Sequence, residues 1–236
     1  MKDNLIPPAT WEFDKAVTDR FDDMLRRSIP QYEVMRKAVF DMASPYVKPR
    51  TRIVDLGCSR GEALAPFVAH FGTANDYIGI DISKPMLEAA QDRFEKSQEA
   101  GSVEIIDYDL RNPYTITNAS LTLSVLTLQF IPVEYRAPLV KSIYANTVAG
   151  GAFILVEKLV AAAPGIAGQM IDNYHAMKRE NGYSAEQIEK KRLALEGVLV
   201  PLTAKDNEAL LVNAGFAEVE CFWRWMNFAG WIALKK

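Results

Sequence analysis

The sequence predicts an α/β domain whose core is a mostly parallel sheet, and three observations carry that prediction. Ile53, Val54 and Leu56 are the residues of a strand covered on both faces, and that strand runs straight into Gly57-Cys58-Ser59-Arg60-Gly61. The two glycines let the backbone turn tightly and approach a ligand, while the helix beyond directs free N–H groups above the turn. Second, Tyr77-Ile78-Gly79-Ile80-Asp81 reads as another buried strand ending in an acid, with Asp81 following Gly57 by 24 positions. Nucleotide-binding folds place an acid at about that distance to accept hydrogen bonds from ribose hydroxyls. Third, strand-like and helix-like segments alternate through most of the chain, the order that builds a parallel sheet. The turn lacks the Gly-x-Gly-x-x-Gly spacing of a diphosphate cradle, so the expected ligand carries a ribose and no diphosphate.

Residues 1–30 form an accessory lead. In it Val17, Phe21, Met24 and Leu25 recur near helical spacing between Asp14 and Arg27, which suits a lid or a dimer element. Ser28-Ile29-Pro30-Gln31 combines a hydroxyl cap, an early proline and a glutamine three positions on, the start of a helix. Val34, Met35, Ala38, Val39 and Met42 give that helix its buried face, and Tyr32 in its first turn is either a packing residue or a ligand contact. Ala63 to His70 is the helix after the glycine turn, with Pro66 near its start and Phe71-Gly72-Thr73 at its end.

Ser83 caps a helix that turns Leu87, Ala90 and Phe94 inward and leaves Glu95 to Glu99 solvated. Val103-Glu104-Ile105-Ile106 is the third strand and delivers Asp107-Tyr108-Asp109-Leu110-Arg111 to the binding edge. Ala119 to Ile131 is the fourth strand, finishing in Thr127-Leu128-Gln129-Phe130, and Val133 to Asn146 is the helix after it. Val148 to Ala152 turns into Phe153–Lys158, the fifth strand; its Glu157 and Lys158 stand at the edge either for chemistry or as a structural ion pair.

Residues 159–200 break the alternation and are expected to form the substrate lid. A loop at Ala161 to Gly165 leads into helices over Met170–Glu180 and Ala185–Leu199, separated by the turn and cap Asn181-Gly182-Tyr183-Ser184. Lys190, Lys191 and Arg192 follow Glu186 and Glu189, the pattern of a solvated helical face with spaced ion pairs. Alternatively, Arg192 turns inward and holds an anion through its forked donors. His175 suits a general base near neutral pH, but without a visible partner it reads equally as a surface residue. Asp206 to Ala214 is a last helix closed by Gly215, and Ala217 to Lys235 is an antiparallel pair rich in Trp223, Trp225, Phe228 and Trp231.

With 236 residues, 49% of them hydrophobic and 24% charged, the chain is long enough for one well-buried domain. A net charge of −3 provides no overall cationic field, which argues against direct binding of nucleic acid or of an anionic membrane. Cys58 and Cys221 lack metal-ligand spacing and fit a reducing cytoplasm; Cys58 reads as a small packing residue within the turn. The first residues hold no apolar run of signal-peptide length, and no stretch of about 18 apolar residues occurs, so a soluble protein is expected.

The run Val54-Asp55-Leu56-Gly57-Cys58-Ser59-x-Gly61 with the later Ile80-Asp81 resembles the first motif of class I S-adenosylmethionine-dependent methyltransferases. That resemblance implies a Rossmann-like class I methyltransferase fold, with a mostly parallel seven-stranded sheet, an antiparallel C-terminal hairpin and a helical lid insertion. All of it would form a single domain over 1–236. A narrower resemblance rests on Trp11-Glu12-Phe13-Asp14, Arg27-Ser28-Ile29-Pro30-x-Tyr32, Asp55 to Ser59, Thr127 to Phe130, Lys178-Arg179-x-Asn181-Gly182-Tyr183-Ser184 and Lys191-Arg192. Over nearly the whole chain these are similar to the carboxy-S-adenosylmethionine synthases.

The resemblance implies that S-adenosylmethionine, or its carboxylated product, is bound. In that reaction prephenate loses its carboxylate as carbon dioxide, and the methyl of S-adenosylmethionine is carboxylated through a sulfonium ylide. The positions matching Tyr32, Gly57, Cys58, Ser59, Asp81, Asp109 and Arg192 would contact the nucleotide, with Ile82, Leu110 and Val125 beside them. Arg192 would grip the new carboxylate, across the interface of a homodimer, and is the catalytic candidate. The product would serve a different enzyme that modifies wobble uridine in tRNA. Val125 stands where the family carries an asparagine, and Ile82 replaces a polar residue beside the ribose acid. Two other readings stay open: methyl transfer to a small molecule with Glu157 or His175 activating the acceptor, and a non-catalytic nucleotide-binding module working through its aromatic hairpin.

Overall fold

The structure, a computed structural model, describes residues 2–5, 7 and 10–236. Seven strands form one sheet: β1 Arg52–Leu56, β2 Asp76–Asp81, β3 Val103–Asp107, β4 Ala119–Val125, β5 Thr147–Lys158, β6 Glu218–Trp225 and β7 Phe228–Leu234. Their order is β3-β2-β1-β4-β5-β7-β6. Strands β1 to β5 run parallel, and β7 lies antiparallel between β5 and β6. The expected mostly parallel seven-stranded sheet with an antiparallel C-terminal hairpin is therefore present.

Helices cover both faces, which is why the central strands are apolar without alternation. Successive residues of β1 point to opposite faces, so Ile53 and Val54 enter different cores. Val54 joins Ile78, Phe153 and Leu155 under α6 Val133–Asn146 and α9 Ala204–Ala214. Ile53 joins Tyr77, Leu121, Ile154 and Trp223 against α3 Tyr32–Ala43 and α4 Ala65–Phe71. The remaining helices are α1 Lys15–Thr18, α2 Phe21–Ser28, α5 Lys84–Glu99, α7 Pro164–Glu180 and α8 Ala185–Ala194.

Several local expectations are corrected. The segment from Asp14 to Arg27 is two helices, broken at Asp19 and Arg20. Ser28 ends α2 instead of capping α3, because Ile29 is extended and buried and Gln31 adopts a left-handed φ of 49° before α3 begins. The Gln31 side chain caps nothing and instead accepts a hydrogen bond from the Trp223 indole at 3.3 Å. The buried stripe of α3 is Met35, Val39 and Ala43, one turn apart, while Val34 and Met42 face outward.

Strand β4 stops at Val125, and Leu128–Phe130 is a turn of 3-10 helix. Leu126 has a φ of 63°, which breaks the extended run. The glycine pair 150–151 does not precede β5 but lies inside it, since the strand begins at Thr147. In the lid, α7 begins six residues earlier than expected, at Pro164, and α8 ends at Ala194 well before Leu199. The turn between them holds: Ser184 and Gln187 form a reciprocal capping box. Trp223, Phe228 and Trp231 of the hairpin are buried and belong to the core, while Trp225 is half-buried.

Candidate active site

A cavity of about 480 Å³ opens above the carboxyl ends of the parallel strands. This is where ligands bind in open α/β sheets, and the volume falls within the usual range for small-molecule sites. Gly57, Cys58 and Ser59 line it from the turn after β1. Gly57 has a φ of +66°, and a Cβ there would lie 2.4 Å from the Thr127 side chain. Gly61 is equally constrained, since a Cβ would stand 2.3 Å from the Phe94 ring. The Cys58 thiol is buried against Gly79, and burial pushes it well above its ordinary pKa. It acts as a packing residue.

Asp81 closes β2. Its Oδ2 accepts the Ser59 N–H at 2.9 Å, and its Oδ1 accepts those of Ile82 at 2.8 Å and Ser83 at 2.9 Å. Burial raises its pKa, and these three N–H donors oppose that rise. The carboxylate is thus fixed in orientation with an acceptor position left for a hydroxyl in the cavity. Ile82 sits at the rim, 63% exposed, and offers an apolar edge.

Asp109 and Leu110 line the neighbouring wall after β3. The Asp109 carboxylate is already taken: Arg111 Nε donates to it at 2.8 and 3.0 Å and the Arg111 N–H at 2.9 Å, which holds its pKa down. Val125 lines the cavity from the end of β4, and Tyr32 from the start of α3. Burial pushes the Tyr32 hydroxyl up to about 12, so it stays a neutral donor.

Arg192 is the exception among the expected site residues. It does not line the cavity of its own chain; it is exposed on α8 and pairs with Glu189 at 2.8 Å and Glu196 at 3.6 Å. The expected solvated face holds for it and for Lys190, which pairs with Glu186 at 2.8 Å. It does not hold for Lys191, which is 2% exposed and ion-paired with the equally buried Asp3. Glu157 and Lys158 make no ion pair with each other, because adjacent strand residues face opposite sides of the sheet. His175 is half-buried, lies outside the cavity wall, and burial lowers its pKa.

Sequence reasoning did not assign four kinds of residue to the site. Asp55 lines the cavity fully buried, with Oδ2 lacking a hydrogen-bond partner among the described residues; burial pushes its carboxyl up to about 8. Lys178 enters from α7. Trp11 and Phe13 from the lead close the roof, Phe13 packing edge-on against Phe130 at 5.2 Å and Trp11 donating its backbone N–H to the Ala194 carbonyl at 2.9 Å. Arg136, 1% exposed and without a carboxylate partner among the described residues, donates to the carbonyls of Ile131 at 2.7 Å and Val200 at 2.8 Å. It thereby ties the end of the lid to the Thr127-to-Phe130 turn.

That turn is set from below by Glu157, whose Oε1 accepts the Leu128 N–H at 3.0 Å. Burial raises the Glu157 carboxyl to about 8, against the opposing pull of Arg136 and the backbone N–H groups. Above its unfolded pKa the unfolded chain releases this proton while the folded chain keeps it. The group therefore subtracts stability progressively as pH climbs from about 4.5 to about 8. Glu157→Gln is expected to flatten that slope by a few kcal/mol over the window, measured by urea unfolding at about pH 5 and about pH 8. Asp55 adds a slope of the same sign that the substitution leaves in place. An unchanged difference between the two pH values would show that Glu157 is ionised in the fold.

A family model described as a methyltransferase domain matches residues 53–151, the stretch from β1 into β5. The chain resembles an O-methyltransferase family protein from Burkholderia thailandensis with a TM-score of 0.65 at 17% identity, covering 95% of this chain and 61% of that one. Against human N-acetylserotonin methyltransferase in complex with SAM the TM-score is 0.60 at 15% identity, over 94% of this chain and 55% of that one. These likenesses establish the class I methyltransferase fold. Sequence likeness is closer and spans nearly the whole chain. The carboxy-S-adenosyl-L-methionine synthase of Methylococcus capsulatus is 38% identical over 94% of this chain and 93% of its own. That of Wolinella succinogenes is 42% identical over 95% and 93%. On identity of that degree over 94–95% of its length, the chain belongs to the carboxy-S-adenosyl-L-methionine synthase family.

Proposed function

We propose that this chain carboxylates the methyl group of S-adenosylmethionine, with prephenate as the carboxyl donor. The observation that carries the nucleotide half is the cavity floor. Asp81 is preset by three backbone N–H groups to accept from a ribose, Gly57 holds the turn at a positive φ packed against Thr127, and Asp55 presents a buried carboxyl with an unsatisfied oxygen to a cationic ligand. A sulfonium and an ammonium are the charges such an oxygen would meet, and their approach would lower the Asp55 pKa. S-adenosylmethionine supplies a methyl carbon acidified by the adjacent sulfonium.

The balance of the reaction is simple. The donor dianion loses carbon dioxide and hydroxide as its ring becomes aromatic, the hydroxide leaves as water with one methyl proton, and a carbon–carbon bond forms to carbon dioxide. Both reactive species are destroyed by bulk solvent, so the chain's main task is enclosure. Trp11, Phe13, Phe130, Leu195 and Leu199 supply an apolar roof for it. Val125 and Ile82 give this cavity a more apolar nucleotide wall than the family pattern.

Arg192 fits this reading only when a second copy presents it. Its exposure, with exposed Leu193 beside it and Ile166 and Ile171 on α7, supports a homodimer in which one protomer's arginine meets the other's product carboxylate. A single domain is supported by Trp11, Phe21, Met86 and Ala194 sharing one core cluster across lead, central helix and lid. No described helix is long and apolar enough to cross a membrane; we place the reaction in the cytoplasm, where free Cys58 and Cys221 would stay reduced, upstream of a separate tRNA-modifying enzyme.

The test is mass spectrometry of the nucleotide released on denaturation after incubation with S-adenosylmethionine and prephenate. A nucleotide heavier by one carbon dioxide is expected, and Arg192→Ala is expected to abolish most of it while leaving S-adenosylmethionine binding within about twofold. Unchanged S-adenosylmethionine would overturn the carboxylation reading, and S-adenosylhomocysteine formed only with an added acceptor would establish methyl transfer in its place.

A further inference from the structure

The cavity has a second polar end. Asp81 lies at the edge of β2 and Lys158 at the edge of β5, with β1 and β4 between them. Three strand spacings put these ends about 14 Å apart. The nucleoside acids occupy one end, so a second reactant has the other.

That other end carries two lysines without ion-pair partners among the described residues. Lys178 is 6% exposed, lines the cavity and makes no ion pair among the described residues. Its nearest acid, Asp3, is already bound by Lys191 and by the Tyr183 hydroxyl. Lys158 also lines the cavity, burial alone perturbs it, and it makes no ion pair among the described residues. Both ammonium groups rest on the Tyr174 ring, at 5.0 Å for Lys158 and 5.5 Å for Lys178, and Lys178 also lies 5.1 Å from the Tyr183 ring. Gln129 fixes the Lys158 backbone by accepting its N–H at 3.0 Å. Burial lowers the Lys178 pKa to about 7, the mark of an ammonium group short of a counter-ion. Two buried ammonium groups in a cavity that also receives a sulfonium repel one another until an anion enters.

We propose that Lys158 and Lys178, seated on Tyr174, form the anion subsite that holds the 2-oxo carboxylate the donor keeps through the reaction. The inference rests on the carboxylation reading above and adds the donor's orientation to it. A carboxylate paired with a lysine is stabilised as an anion and resists loss as carbon dioxide, so the lysines suit the carboxylate that stays. The carboxylate that leaves then lies toward the middle of the sheet edge, where Gly57 and Val125 line the cavity.

The test uses phenylpyruvate, which carries the retained 2-oxo carboxylate and cannot be decarboxylated along this route. Its binding to the S-adenosylmethionine-loaded protein is measured by calorimetry. Lys178→Met and Lys158→Met are each expected to weaken phenylpyruvate about tenfold or more, with S-adenosylmethionine affinity within about twofold, and Lys178→Arg to restore most of the loss. No measurable binding of phenylpyruvate to the wild type, unchanged affinity in both methionine variants, or a parallel loss of S-adenosylmethionine affinity each overturns the subsite. Lysine-dependent binding by a protein that makes no heavier nucleotide from prephenate would keep the subsite and sink the reaction. Heavier nucleotide from a protein whose methionine variants bind phenylpyruvate normally would do the reverse.

Discussion

Asp81→Asn is expected to weaken S-adenosylmethionine binding about a hundredfold, read by calorimetry, because it damages both sides of the same contact. The carboxylate accepts from Ser59, Ile82 and Ser83 and keeps an acceptor for the ligand. An amide has one oxygen and turns an NH₂ toward donors that need an acceptor. Either flip leaves the Ser59 N–H, or those of Ile82 and Ser83, facing another donor, so the left-handed turn at Ser59 loses its anchor as well. Asp109→Asn supplies the contrast. Arg111 already occupies that carboxylate, which is partly exposed, so a loss below tenfold is expected there. Equal losses at the two positions would mean that Asp81 is not the ribose acceptor.

Why Asp81 was legible and Lys178 was not follows from the range of the forces that set each. Asp81 is the last residue of a buried strand one spacing from a glycine turn, so its place depends on local pattern. Gly57 is legible for the same reason. Asp55 stood in the same motif, but its orphaned oxygen is a property of what packs around it and leaves no local mark. Lys191 sits on a helix whose charge spacing reads as solvated, and the spacing is right for Lys190 and Arg192, while Lys178 on α7 stands beside exposed Arg179 with nothing local to mark it as buried. What buries Lys191 is Asp3, 188 positions away, in a lead whose sequence carries no helical or strand period at that point. The sequence pattern carries the fourth strand past Val125, where it ends, for a similar reason. Thr127 to Phe130 is apolar enough to continue it, but the Glu157 carboxylate captures the Leu128 N–H and bends the chain into a turn.

The Asp3–Lys191 pair closes the roof, and its loss is expected to be the largest stability effect in the molecule. Both side chains are buried, at 1% and 3% exposure. Asp3 also accepts from the Tyr183 hydroxyl, while its carbonyl accepts from Arg27 at 2.7 Å and its N–H donates to Asp23 at 2.7 Å. Asp3→Ala strands Lys191 in an apolar wall beside Trp11, at a cost of about 3–5 kcal/mol in denaturant unfolding. Desolvation of the ammonium causes that cost, so removing the second charge should recover it. Asp3→Leu combined with Lys191→Met is expected to return most of the stability, because apolar replacement of a buried ion pair is close to neutral. The double variant still loses the hydrogen bond to Tyr183, one of the ties between the lead and the α7–α8 turn, and leaves that turn held by Arg27 Nε, which donates to the Asn181 carbonyl at 2.7 Å. It should therefore be stable yet admit solvent, releasing bound nucleotide several times faster than the wild type in a stopped-flow chase. A double variant as unstable as Asp3→Ala would mean that hydrogen-bond loss, and not a stranded charge, sets the cost. Slow release from a stable double variant would mean that the apolar contacts of Trp11 and Phe13 hold the roof without the ion pair.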